Sequence, residues 1–205
     1  MNASRRRFLQ ATAVVATGSL AGCVVQAPQA DRGLDTPVLG DADAPVVLAS
    51  FEDFRCKFCR QFNREILPQV VERYVNPGVV QYRRYDYPFL DPEWSWKAAN
   101  AARAVQDLSD DETYFEYVDL LYEQFDSYSL ETFGALAETV GVDAASVRDA
   151  ADAGRYRETI AADKELGEER NVNSTPTVFV DGEEPRSPRY WDLVDAIEAR
   201  RENGT

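Results

Sequence analysis

Two cysteines two residues apart, Cys56-Lys57-Phe58-Cys59, carry the most chemistry in this 205-residue chain. Such a pair can close a disulfide, pass it to a substrate thiol and take it back. The same spacing can also supply half of a metal site. The rest of the sequence narrows the choice. There is no histidine, which removes histidine triads, histidine general bases and imidazole ligands. A zinc site needs about four ligands, and one Cys-x-x-Cys pair does not supply them. A copper carrier would want a histidine or methionine beside the thiols, and the single methionine is Met1. A static bridge between Cys56 and Cys59 would close too short a loop to constrain the unfolded chain much. Thiol-disulfide exchange remains, with no cofactor and no metal.

Exchange needs a thiolate. A cysteine at a helix N-terminus has its pKa lowered, because unpaired N–H groups and the helix dipole favour a negative sulfur. The residues around the pair provide such a place. Val46-Val47-Leu48-Ala49 with Phe51 and Phe54 reads as a buried strand, after a turn at Gly40–Pro45. From Cys56 a helical pattern runs to Tyr74 through Phe58, Phe62, Leu67, Val70 and Val71, with Pro68 expected to kink it. Cys56 is therefore the expected exposed nucleophile, and Cys59, one turn deeper, the shielded resolving thiol. Phe51 and Phe62 are expected in the core. Phe58 is expected on the surface, where an apolar patch suits unfolded polypeptide. Lys57 adds a charge beside Cys56, but salt screens an exposed charge more than it screens short N–H contacts.

Further on, Val79–Tyr87 reads as a second strand. A helical block spans about 91–172, with Trp94, Ala98, Ala101 and Val105 on one helix and Phe115, Val118, Leu121, Tyr122 and Phe125 on another. Trp94 and Trp96 suit either the core or a cap over the site. Ser129 reads as the N-cap of a third helix and Gly141 as its stop, with at least one short helix after it. Thr177–Val180 is a strand and Asp181-Gly182 a turn. Ser187-Pro188 opens a last helix whose inward face is Trp191, Val194 and Ile197, flanked by Tyr190 and Leu193.

This order resembles a thioredoxin fold (α/β) with an inserted helical subdomain, and is most similar to the DsbA-like thiol-disulfide oxidoreductases. The resemblance rests on Leu39-Gly40-Asp41-Ala42-Asp43-Ala44-Pro45-Val46-Val47, on Phe51-Glu52-Asp53-Phe54-Arg55-Cys56-Lys57-Phe58-Cys59, and on Ser174-Thr175-Pro176-Thr177-Val178-Phe179-Val180-Asp181-Gly182. It covers roughly residues 38–200. It implies a redox-active pair at Cys56 and Cys59, a cis peptide before Pro176 beside that pair, and backbone groups of Thr175 offered to an extended substrate. One position departs from the family pattern. Relatives often carry a buried acid six residues before the first cysteine, thought to move protons to and from the second. Here that residue is Ser50, and water, Glu52 or another acid are the alternatives. Strand alternation sends Glu52 and Asp53 to opposite faces.

The N-terminus reads as an address. Ser4-Arg5-Arg6-Arg7-Phe8-Leu9-Gln10 resembles a twin-arginine export motif, and Leu20-Ala21-Gly22-Cys23 a lipobox. Together they predict a signal peptide over 1–22, lipidation of Cys23 and a flexible tether over 23–37, before a thioredoxin-like domain over 38–205. The 13 residues from Val24 to Thr36 would reach roughly 20 Å, keeping the domain near the outer face of the cell membrane. Expected partners are unfolded or reduced exported polypeptides and a membrane redox protein that resets the pair. No segment suggests a dimer, so a monomer is expected. Net charge of −14 argues against nucleic acid as a partner. Lysine is limited to Lys57, Lys97 and Lys164, and such acid-rich, lysine-poor surfaces resemble those of extreme halophiles.

Overall fold

The computed structural model describes residues 33–203. The twin-arginine motif, the lipobox with Cys23 and most of the tether lie outside the described residues. Four strands form one sheet: β1 (Val38–Leu39), β2 (Val46–Glu52), β3 (Val80–Asp86) and β4 (Thr177–Val180), in the order β1-β3-β2-β4. β2 runs parallel to β3, from Val46 opposite Val80 to Glu52 opposite Asp86. β4 is antiparallel to β2 and pairs Thr177 with Phe51. Strand β2 is central and covered on both faces, which is why it reads as an almost unbroken apolar run. β1 was not expected; two residues are too few to leave a periodic signal.

The chain after the cysteines is one helical run with two wide turns. Helix α1 (Lys57–Gln61) passes into a π-turn at Phe62–Ile66, then α2 (Leu67–Val70), then a second π-turn at Val71–Val75. Pro68 sits in the first turn of α2, where its missing N–H costs least. The expected kink is thus taken up by wide turns on either side. In the first of them the Leu67 N–H bonds the carbonyl of Phe62.

The insertion contains α3 (Trp94–Leu108), α4 (Asp111–Glu123), α5 (Leu130–Thr139), α6 (Ala144–Ala153) and α7 (Arg157–Glu169). Asp110, Ser129 and Asp143 cap α4, α5 and α6 by accepting from the N–H groups of Thr113, Thr132 and Ser146. Helix α7 covers the Ala49–Phe51 face of β2 together with Tyr85, Tyr87, Val172 and Phe179. It comes so close that a Cβ on Gly167 would lie 2.7 Å from the Tyr87 ring. The other face, with Val46 and Leu48, joins the main core with Phe54, Phe62, Val70, Tyr82 and Val105.

The last helix, α8 (Tyr190–Asn203), differs from expectation in two ways. It begins at Tyr190, so Ser187 and Pro188 lie ahead of it instead of supplying its N-cap and first turn; the Ser187 hydroxyl donates to the Asp192 carboxylate and accepts from the Arg189 N–H. Its inward face is Leu193, Val194 and Ile197, while Trp191 is 68% exposed. Trp191 lies in the first turn, where its ring meets the edge of Tyr190 at 5.0 Å.

Candidate active site

Strand β2 delivers the chain to the site, and Asp53 fixes the turn that follows. Asp53 is buried; its carboxylate accepts from the N–H groups of Phe89, Leu90 and Arg55 and from the Ser95 hydroxyl. Its carbonyl accepts from the Cys56 N–H at 3.0 Å. This ties the Cys56 turn to the connection between β3 and α3. Arg55 holds the α4–α5 connection, donating to the Phe125 carbonyl and lying 5.1 Å from the Phe125 ring.

Cys56 is the N-cap of α1 and both thiols are free. Its sulfur accepts from the Cys59 N–H at 3.4 Å and donates to the Thr175 carbonyl at 3.1 Å. The Thr175–Pro176 peptide is cis. Cys56, Cys59, Thr175 and Pro176 are therefore brought together from segments 119 residues apart. One expectation is corrected. Cys56 is not exposed: only 3% of its surface is accessible, because the Thr175 segment packs on its sulfur. The thiol pKa is lowered to about 6 even so. The Cys59 side chain, as a hydrogen-bond partner of the sulfur, is the main cause, and the Thr175 side chain and the N–H groups of Cys59 and Phe58 add to it against the opposing effect of burial.

Lys57 is not among the causes of that shift; its ammonium lies 5.0 Å from the Phe58 ring. Lys57→Gln is therefore expected to leave the Cys56 titration almost unchanged at both low and molar salt. Following thiolate absorbance against pH checks this, and a large Lys57 effect at either salt concentration would refute it.

Cys59 is fully buried, and its thiol is pushed well up by burial, by the Cys56 hydrogen bond and by the charge of Glu52. Glu52, one of the alternatives to the acid missing at Ser50, is buried close enough for its charge to act on Cys59. Ser50 and Glu52 share one face of β2, and the Ser50 hydroxyl donates to Glu52 Oε1 at 2.7 Å. Tyr82 donates to the same oxygen at 2.7 Å, Tyr122 to Oε2 at 2.9 Å, and Asn63 Nδ2 to Oε2. The Asn63 amide also donates to the Cys59 carbonyl at 2.9 Å, bridging acid and thiol segment. Arg84 Nε stands 3.9 Å from Glu52 Oε2 and has no hydrogen-bond partner.

Sequence reasoning named Glu52 among several options and missed Asn63, Tyr82, Tyr122 and Arg84. Asn63 had a faint signal, lying one helical turn beyond Cys59. Tyr82 and Arg84 share the inward parity of β3. Trp94 and Trp96 are half-buried: Trp94 meets the Phe133 ring edge at 6.0 Å, and Arg157 lies 4.4 Å from the Trp96 ring. Both thus have partners within the insertion.

The sheet, the insertion and the thiol pair can be set against known proteins. A family model described as Thioredoxin matches residues 33–199. The chain belongs to the thioredoxin family. "Disulfide bond formation protein D" of Bacillus subtilis is 25% identical over 172 residues, 79% of this chain and 75% of the relative. Oxidised BdbD from Bacillus subtilis superposes with a TM-score of 0.77 at 24% identity, covering 82% of this chain and 93% of that one. DsbA from Chlamydia trachomatis superposes with a TM-score of 0.74 at 22% identity, covering 82% and 92%. Within the thioredoxin family the chain is a DsbA-like thiol-disulfide oxidoreductase.

Proposed function

We propose that this DsbA-like protein forms disulfides in exported polypeptides outside the membrane. Cys56 is the nucleophile, Cys59 the resolving thiol, and Thr175-Pro176 the segment on which the substrate lies. The observation that carries the reading is the asymmetry of the pair: Cys56 held as a thiolate by hydrogen bonds, Cys59 held as a thiol by burial. In the forward reaction a substrate thiolate attacks Cys56 Sγ of the Cys56–Cys59 disulfide, and Cys59 leaves and takes up a proton. A second substrate thiolate then attacks the substrate sulfur, and Cys56 leaves as a thiolate. Two electrons move from the substrate sulfurs to the pair. Glu52 is the group that exchanges the Cys59 proton.

Surface chemistry supports a polypeptide substrate. Phe58, Phe89 and Leu90 are 57%, 45% and 50% exposed. Phe58 lies between the cysteines, and Phe89 and Leu90 are stapled to Asp53, three residues before Cys56. The name of the Bacillus subtilis relative supports the disulfide-forming direction. Export by the twin-arginine route, lipidation of Cys23, a monomeric state and a membrane redox partner complete the reading. They rest on the N-terminal motifs and on the need to reset the pair.

The direction is tested by equilibrating the pair with glutathione. A thiol pKa of about 6, against an ordinary value near 9, stabilises the reduced form at pH 7 by about 1.4 kcal/mol, or about 30 mV. That is a modest part of the interval from about −270 mV for thioredoxin to about −120 mV for the strongest oxidant. Because a thiol pKa of about 6 also falls between about 7 for thioredoxin and about 3.5 for the strongest oxidant, the expected potential lies between these limits. A value at or below that of thioredoxin would overturn the disulfide-forming direction in favour of a reductase.

A further inference from the structure

Glu52 is enclosed, and its enclosure has one thin wall. Its carboxylate receives hydrogen bonds from Ser50, Tyr82, Tyr122 and Asn63. Ser50, Tyr82, Tyr122 and the nearby Arg84 have no accessible surface; Asn63 keeps 4%. Asn63 also lines two adjoining surface grooves of about 230 and 210 Å³, each large enough to admit solvent. Both grooves run along the first π-turn and α2 and share Asn63, Pro68 and Asp119. Neither is lined by Cys56, Phe58, Thr175 or Pro176. A wide turn inside an α-helix often marks a functional site, and here it carries Asn63.

We propose that Asn63 is the gate and Asp119 the exchange group of a proton route that joins Glu52 to solvent away from the substrate face. The inference rests on Glu52 serving Cys59, as argued above. When Cys59 leaves the disulfide it needs a proton while a polypeptide covers Cys56 and the Thr175 segment. Glu52 gives that proton to Cys59 Sγ and is reprotonated from the groove when the Asn63 amide moves aside. Asp119, on α4, supplies the groove. Other charges around it are Glu116 and Glu123 on its own helix, Arg64 on the π-turn, paired with Glu123 at 4.0 Å, Glu72 at the groove edge, and Glu52 within. Asp119 is an exposed residue whose carboxyl faces the groove; it is pushed up to about 6, first by desolvation there and then by Glu123 and Glu52, so it gains and loses protons near neutral pH. Asn63 and Asp119 act through Glu52 and are positioning residues.

The test is single-turnover reduction of the oxidised protein by a reduced dithiol peptide, followed by stopped flow at several pH values and buffer concentrations. Cys56 does not titrate in the starting disulfide, so a change in slope near pH 6 that differs between wild type and Asp119→Asn belongs to Asp119. Asp119→Asn should slow the reaction roughly tenfold at low buffer, less than the 10²–10⁴ of a direct acid or base. Added imidazole or acetate, small enough to enter the groove, should restore the rate. Its reduction potential and melting temperature should match wild type. Asn63→Ala, with the gate removed, should give a rate that climbs more steeply with buffer than wild type. Glu52→Gln should be slow at every buffer concentration. If Glu52→Gln is slow but Asp119→Asn matches wild type in rate and buffer dependence, the route is wrong and the role of Glu52 stands. If Glu52→Gln reacts at the wild-type rate, the role of Glu52 falls, and the route falls with it.

Discussion

Cys56→Ser is expected to reduce oxidative refolding of a reduced substrate to the uncatalysed rate, whereas Cys59→Ala is expected to arrest the protein as a mixed disulfide. The difference follows from where each sulfur lies. Cys56 meets the Thr175 carbonyl at 3.1 Å, at the segment where a substrate strand would pair, and its pKa near 6 leaves it mostly thiolate at neutral pH. Serine in its place has no such acidity. Cys59 is sealed on the buried face of α1 and keeps its proton, so no substrate thiol reaches it. Its loss leaves the first attack intact and removes only resolution. Incubating each variant with a peptide disulfide and weighing the product by mass spectrometry separates the two. Adduct on Cys56→Ser, or none on Cys59→Ala, would reverse the assigned roles. The pH dependence has a definite sign. A thiol pKa lowered on folding makes a contribution to the stability of the reduced protein that is complete above about pH 9. It is lost as pH falls through about 6. The reduced-form melting temperature should fall through that window, and Cys56→Ser should flatten it.

Much of this site was legible because its parts are local. Cys56 and Cys59 are one turn apart, so a strand before them and a helix after them suffice to place a thiol at a helix start. β4 spans Thr177–Val180 as expected, because the apolar run is bounded by Pro176 and the Asp181-Gly182 turn. Two residues at positive φ there let Val180 bridge to Glu183. What the sequence could not show is what meets what. Ser50 and Glu52 differ by one strand period, yet the acid's place beside Cys59 depends on Tyr82 from β3, Tyr122 from α4 and Asn63 from a π-turn. Those contacts span up to 70 residues. The burial of Cys56 is likewise a property of the Thr175 segment, more than a hundred residues away. Trp191 misled because helical spacing alone does not say whether the first turn of a helix is packed, and here that turn leaves Trp191 exposed.

Arg103→Met is expected to cost about 3–5 kcal/mol, a large part of the stability of a domain this size. The reason is a chain of charges through the insertion. Arg103 has no accessible side-chain surface and donates to Asp86 at 2.7 Å and to Asp163 at 2.5 Å, while Arg84 donates to Asp86 at 2.7 Å. Methionine keeps much of the volume but leaves two carboxylates sharing one buried cation. Arg84, which stands between Asp86 and Glu52 and stacks 4.1 Å over the Phe54 ring, is then drawn toward Asp86. The loss should therefore reach the active site as a shifted Cys59 titration. Lys97→Met provides the contrast: its pairs with Glu93 and Asp152 face solvent, and such pairs are worth about 0–1 kcal/mol. Urea unfolding at low and molar salt distinguishes the two. Salt screens the exposed pair and leaves the enclosed one, so the Arg103→Met deficit should persist in molar salt. If instead salt erased it, or Arg103→Met unfolded like Lys97→Met, the buried charges would not be holding the insertion to β3.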